Sequence, residues 1–163
     1  MNQFEIRKAI KLDCESMLQL IQELADFEKA SDEAILSVKN LEEDGFGKGA
    51  IFEAYVAEID GTVVGMALYY EKYSTWKGRA LYLEDLVVTQ SKRGLGIGKA
   101  LFEAVIVEAK SRNSGRMEWQ VLDWNEAAIE FYKSYAAELD PEWINGRFSR
   151  MQLQNFTTKT SEK

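Results

Sequence analysis

Histidine is absent from the 163-residue chain, cysteine and proline occur once each, and no apolar run approaches the roughly 20 residues of a membrane span. Without histidine, Ser-His and Cys-His nucleophile pairs, histidine-ligated zinc and a histidine general base are excluded. The lone Cys14 rules out an intrachain disulfide. It follows Asp13, a predicted helix cap, and reads as packing, since small buried thiols are usually inert. The start, MNQFEIRKAI, lacks the charged stretch and apolar core of a secretory signal, so a cytoplasmic protein is expected. Positive charge is also scarce. Twenty Lys and Arg stand against 27 Asp and Glu, a formal charge of -7, and the pairs Lys92/Arg93 and Lys77/Arg79 are too small for a duplex footprint. Nucleic acid and membrane are therefore not expected partners; a cationic small molecule suits such a surface better.

The length allows one good core, and a single domain is expected over residues 1–153 with a polar tail from 154. FEIRKA alternates like a strand. Asp13 then opens a helix in which Met17, Leu18, Ile21, Leu24 and Ala25 recur at three- and four-residue spacing. A second helix is predicted from Ser37 to Gly45. FEAYVAEI and TVVGMALYY flank Asp60-Gly61, a pair suited to a tight hairpin turn, and LYLEDLVV is the next strand. A helix over Lys99 to Arg112, a strand at MEWQVL, a helix from Asn125 to Tyr135 and a last strand at GRFSRMQL follow. Local strand pairing that gives way to strand-helix alternation implies a mixed α/β sheet covered by helices.

Gly94, Gly96 and Gly98 stand between a strand and a helix. Glycine lets backbone approach a ligand, and the unpaired N–H groups and dipole of a helix start favour a phosphate there. A P-loop ending at Gly98-Lys99 would need glycine at Arg93 and a hydroxyl at Ala100, and a G-x-G-x-x-G fingerprint would need glycine at Lys99, so both fail. What fits is R/Q-x-x-G-x-G/A, as Arg93-Gly94-Leu95-Gly96-Ile97-Gly98. A tight strand-to-helix connection without a ligand would use the same glycines.

That hexapeptide resembles the diphosphate loop of the GNAT superfamily of acetyl-CoA-dependent N-acetyltransferases. Downstream, NEAAIEFYK resembles the superfamily's second signature, with Asn125 at a strand end and Phe131-Tyr132 on the following helix. DFEKASDEA, EEDGFG, YSTWKGR, LYLED and VLDWN are similar to the spermidine/spermine-type branch, YSTWKGR and VLDWN especially to its thialysine-acetylating members. The resemblance runs from residue 4 to about 137; beyond it, Ala136 stands where the family usually has glycine. It implies a mostly antiparallel sheet of about six to seven strands flanked by helices, an α+β arrangement, and a homodimer with acceptor sites near the subunit junction.

Acetyl transfer to an amine needs a proton acceptor, because an alkyl ammonium with a pKa of about 10.4 is almost wholly charged at neutral pH. Without histidine this is a carboxylate, a water chain ending on one, or bulk solvent. Glu84 and Asp85 close an apolar run, where alternation would point them to opposite faces, and they could equally be structural charges. The resemblance assigns substrate binding and water-relayed deprotonation to Glu84 and a second anchor to Asp85. It places Leu86, Val87 and Val88 along the pantetheine arm, Arg93 to Lys99 (Gly94, Leu95, Gly96, Ile97 and Gly98 between them) around the diphosphate, and Asn125, Glu126, Ala127 and Ala128 on the cofactor. Tyr132, protonated at neutral pH, is implied as both a cofactor contact and the acid that protonates the leaving thiolate. Phe27 and Glu28, and a second patch at Glu118, Trp119 and Gln120, match acceptor-contacting positions. Trp76, Trp119, Trp124 and Trp143 read as core packing before an aromatic cage. No metal is implied. A small cationic amine is the expected acceptor; a protein-lysine or amino-terminal acceptor, or a CoA-binding module without catalysis, are the alternatives.

Overall fold

Asp60 and Gly61 both adopt positive φ, 49° and 77°, and so close the expected tight hairpin between strand β2 (Glu53–Ile59) and strand β3 (Thr62–Ser74). The structure, a computed structural model, describes residues 4–158, which fall into two units divided after Gln120. In the first unit the hairpin is the centre of a five-stranded sheet, with β1 (Glu5–Lys8) outside β2, then β4 (Gly78–Val88) and β5 (Met117–Glu118) beyond β3. The first four strands pair antiparallel and β5 lies parallel to β4, which bears out a mixed, mostly antiparallel sheet. The strand number is lower than the six to seven expected: five among the described residues.

Helices cover both faces. Helix α1 (Cys14–Phe27) buries Cys14, Met17 and Leu20, and helix α2 (Val38–Phe46) buries Leu41, against Val56, Met66, Leu68 and Val87 of the sheet. Each large aliphatic side chain buried there contributes about 1.5–3 kcal/mol. Cys14 is a buried packing thiol, as expected. Ser37 and Asn40 cap α2 reciprocally, each side chain accepting from the other's backbone N–H. Asp13 behaves differently from the predicted cap. Its carboxylate accepts no bond from the α1 backbone but takes one from Ile10 N–H and two from Arg7, which also reaches Glu58 and ties β1 to β2.

Residues next to those core positions face the other way and carry helix α3 (Ile97–Ser111). Tyr55 donates from its hydroxyl to Glu108 at 2.7 Å. Gly65 lies under the start of α3, where a Cβ would come within 3.1 Å of Leu101 Cδ1 and 3.2 Å of the Val87 carbonyl oxygen. The bare backbone at Gly65 therefore lets the first turn of α3 sit down on the sheet.

The second unit, from Val121, contains helix α4 (Glu126–Lys133), capped by Asn125, and the short helix α5 (Arg150–Gln154). Ala136, just past α4, takes a left-handed φ of 57°, which accounts for the glycine that the family usually places there. Residues 137–149 form neither helix nor strand. The strand predicted at GRFSRMQL is thus not formed. Ser149 and Gln152 satisfy each other's backbone as a capping box and start α5 inside that segment. The tail expected from 154 begins at the last residue of α5, and its end, from 159, lies outside the described residues. Among the described residues no helix is long and apolar enough to cross a membrane.

Candidate active site

β4 carries the site along its length. β5 pairs with it only through Leu81 and Tyr82, so from Leu83 to Val88 the edge away from β3 has no strand partner among the described residues. Leu86, Val87 and Val88 lie on this open stretch. The chain then makes a short 3₁₀ turn over Gln90–Lys92, and Arg93 folds back so that its Nε donates to the Val88 carbonyl at 3.0 Å. Gly94 and Gly96 follow with φ of 79° and 81°, values that an L side chain rarely adopts, and a Cβ on either would meet nothing within 4 Å. Gly96 is the N-cap of α3 and offers no side chain to its first amides. Ile97 is buried and anchors the turn; Leu95 and Lys99 are exposed, and Gly98 has ordinary backbone. An uncapped helix start with open space in front of it suits a diphosphate, and the adjoining strand edge suits an extended, amide-bearing arm.

At the centre of the same strand alternation breaks. Leu68 pairs with Asp85 and Tyr69 with Leu83, leaving Glu84 as an extra residue in a β-bulge. Tyr82 packs against Tyr70 with the rings tilted by 32° and their centroids 5.3 Å apart, and the Tyr70 hydroxyl donates to Glu84 Oε2 at 3.0 Å. Tyr70 shares its face with Leu68, two residues away, and Val87 packs in the same cluster as Leu68. Tyr82 and Val87 are an odd number of residues apart yet lie on one face. This corrects the expectation that Glu84 and Asp85 point to opposite faces: the bulge turns both toward the α1 side.

The carboxyls there act on one another. Asp85 is raised to about 6, first by burial and then by the charges of Glu84 and Glu28. Glu28, at the C-terminal cap of α1, is raised by desolvation although it remains on the surface. Tyr70 is raised to about 12, again by burial first and then by its bond to Glu84, so it stays a donor. The result is a carboxylate group on one side of the sheet, suited to a cation. Beside it, an open cleft of about 320 Å³ is lined by Glu23, Asp26, Phe27, Gln90 and Arg93. Phe27 ends α1 with the Arg93 guanidinium 5.4 Å from its ring centroid, and Glu23 accepts from the Thr89 hydroxyl.

Phe27, Glu28, Glu84 and Asp85 are therefore brought to one region of the first unit. The patch at Glu118, Trp119 and Gln120 differs: Glu118 is ion-paired with Lys72 at 3.3 Å and Arg116 at 3.0 Å, and Trp119 packs edge-on to Phe102. In the second unit Asn125 accepts from Ala128 N–H at 3.2 Å, starting α4 with Glu126 and Ala127 in its first turn. Tyr132 is buried and raised to about 12 by that burial, so its phenol is protonated at any physiological pH. Phe131 packs against the rings of Tyr132 and Tyr135. The core reading of the tryptophans is overturned for Trp76, Trp124 and Trp143, which are exposed; Trp76 sits at the tip of the β3–β4 hairpin, where no layer covers it. Tyr70, Glu23, Asp26 and Gln90 went unnamed in the sequence analysis. Asp26 lies within the DFEKASDEA stretch quoted above, but only the β3–β4 register could have pointed to Tyr70.

A family model described as the acetyltransferase (GNAT) family matches residues 15–136. Thialysine N-epsilon-acetyltransferase of Bos taurus is 42% identical over 141 residues, covering 82% of this chain and 83% of that one. Its Sus scrofa counterpart is 41% identical, covering 94% and 97%. The Homo sapiens spermidine/spermine N(1)-acetyltransferase-like protein 1 is 38% identical over 94% of this chain, which corresponds to 24% of that longer protein. Among solved structures, an integron cassette protein from the mobile metagenome of V. cholerae superimposes with a TM-score of 0.76 at 27% identity, covering 99% of both chains. By this match over most of its length, the chain belongs to the acetyltransferase (GNAT) family.

Proposed function

We propose that this acetyltransferase moves acetyl from acetyl-CoA directly to the primary amine of a small cationic acceptor of the diamine, polyamine or thialysine class. The observation that carries the acceptor class is the grouping of Glu28, Glu84 and Asp85 at the β4 bulge, supported by relatives named for thialysine and for spermidine/spermine. Carboxylates so placed attract an ammonium, hold it near the strand edge and disfavour anionic acceptors.

Acetyl-CoA supplies an acetyl group activated as a thioester. The residues that would hold it are Leu86 to Val88 along the arm, Arg93 to Lys99 around the diphosphate, and Asn125 to Ala128. A backbone N–H on the open edge of β4 would stabilise negative charge developing on the carbonyl oxygen without reorganisation. Glu84 takes the ammonium proton through water, and Asp85 anchors the cation beside it. The amine nitrogen forms the new C–N bond, the C–S bond breaks, and Tyr132 gives its proton to the departing sulfur and is reprotonated, through water, by the second proton that the nitrogen sheds. No acetylated residue intervenes, since no activated nucleophile stands among the proposed groups. In this reading both units serve one N-acetyltransferase domain over residues 1–153, which works as a cytoplasmic homodimer.

Thiol release from acetyl-CoA, measured with spermidine, putrescine, thialysine and lysine at rising ionic strength, tests the acceptor class. Turnover of at least one, with an acceptor KM that rises several-fold from low to physiological salt, is expected. No turnover of any amine beside rapid acetylation of peptides would contradict it. Tyr132→Phe is expected to lower kcat on the order of 10²–10⁴-fold while acetyl-CoA still binds; unchanged kcat would remove Tyr132 from the reaction.

A further inference from the structure

We propose that Tyr70 is a positioning residue for the transfer: by donating to Glu84 it fixes where that carboxylate meets the acceptor amine. This rests on the reading of Glu84 as the group that receives the amine. A bulged residue has no cross-strand Cα partner to hold it, so Glu84 depends on its side chain for orientation. The hydrogen bond available is the 3.0 Å donation from Tyr70 to Oε2, which leaves Oε1 to face an ammonium or a relaying water. Tyr70 is itself held in place, paired with Tyr82 across the β3–β4 ladder and packed against its ring, with the Lys72 ammonium over the Tyr82 ring at 5.2 Å.

The electrostatic setting makes that donor matter. The charges acting on the Tyr70–Tyr82 pair beside Glu84 are those of Glu84, Asp85 and Glu118, with the Lys72 ammonium over the Tyr82 ring, and Glu28 at the end of α1 acts on Asp85. A carboxylate among other carboxylates is pushed by like charge, and a donor fixed in the strand ladder holds it where a cation is to meet it.

The test is steady-state kinetics of Tyr70→Phe, Glu84→Gln and the double variant, with acetyl-CoA and whichever of thialysine or spermidine the wild type turns over faster. Phenylalanine keeps the ring contact with Tyr82 and removes only the donor. Tyr70→Phe is expected to raise the acceptor KM on the order of 10-fold, since hydrogen bonds to charged groups are the strong ones. It should leave the acetyl-CoA KM unchanged and lower kcat by a smaller factor than it raises the acceptor KM. In the Glu84→Gln background the same change should have no further effect. If Glu84→Gln is impaired but Tyr70→Phe matches wild type, or if the two losses multiply, the role of Tyr70 is overturned while that of Glu84 stands. If Glu84→Gln is itself as active as wild type, the reading of Glu84 falls, and the proposal with it.

Discussion

The glycine loop proposed to hold the diphosphate and the carboxylate group adjoin the one strand β4 and its exit, yet they are made of opposite materials. From Gly94 to Lys99 the proposed working groups are backbone amides, and the residues there matter for what they lack: two glycines at positive φ and a helix start with no capping side chain. At Glu28, Glu84 and Asp85 the proposed working groups are side chains, gathered by a bulge and by the end of α1, with Asp85 raised by burial and by the charges of the other two. A backbone site is fixed by torsions and responds to volume. A side-chain site responds to pH, salt and single functional groups.

Substitutions sharpen that contrast. The largest effect is expected from Gly96→Val, which sets a branched residue at φ of 81° and fills the space before α3. Its acetyl-CoA dissociation constant should rise on the order of 100-fold by calorimetry, with no dependence on pH between 6 and 8; unaltered affinity would mean that the loop is not the holder.

Asp85→Asn tests the other region. The carboxyl of Asp85 stands at about 6, above its ordinary 3.8, so the folded protein binds more protons than the unfolded chain between those values. Its stability contribution is then favourable below that window and is lost as pH rises through it. Asp85→Asn is expected to stabilise the protein on the order of 2 kcal/mol at pH 8 and negligibly at pH 3, measured by denaturant unfolding. It should also blunt the fall in acceptor kcat/KM near pH 6. Equal stability change at both pH values would show that Asp85 is not tuned as described.

Smaller again is Gly65→Ala, whose Cβ would press on Leu101 and on the Val87 backbone. Lifting the first turn of α3 should cost about 1–3 kcal/mol and weaken acetyl-CoA binding more than amine binding. Equal losses at the two regions would show that the loop is not seated through Gly65.

The same contrast explains what could be read from residues alone. Backbone chemistry is written as glycine, so Gly94, Gly96 and the Asp60-Gly61 turn were legible, as were the periodic helices α1 and α3. The capped starts of α2 and α4 at Ser37 and Asn125 were legible for a related reason, since a capping side chain bonds its own neighbours. The bulge at Glu84 was not. Nothing in LYLEDLVV marks an extra residue, because a bulge arises from the register between two strands, and strict alternation therefore sent Glu84 and Asp85 to opposite faces. Tyr70 was missed for the same reason. The segment GRFSRMQL failed differently: its apolar residues suit a strand, but the local Ser149–Gln152 cap prevailed where no sheet neighbour pairs with it. Trp76 shows the limit of composition, since a large ring at a hairpin tip has no layer to enter.

The most direct measurement titrates CoA and pantetheine separately into the protein by calorimetry. Pantetheine keeps the arm and the thiol but lacks the diphosphate that the amides of Gly94 to Lys99 are held to grip. CoA should bind at least on the order of 100-fold more tightly, and Gly96→Val should erase most of the difference. Equal affinities, or a difference that survives Gly96→Val, would contradict the assignment of this loop.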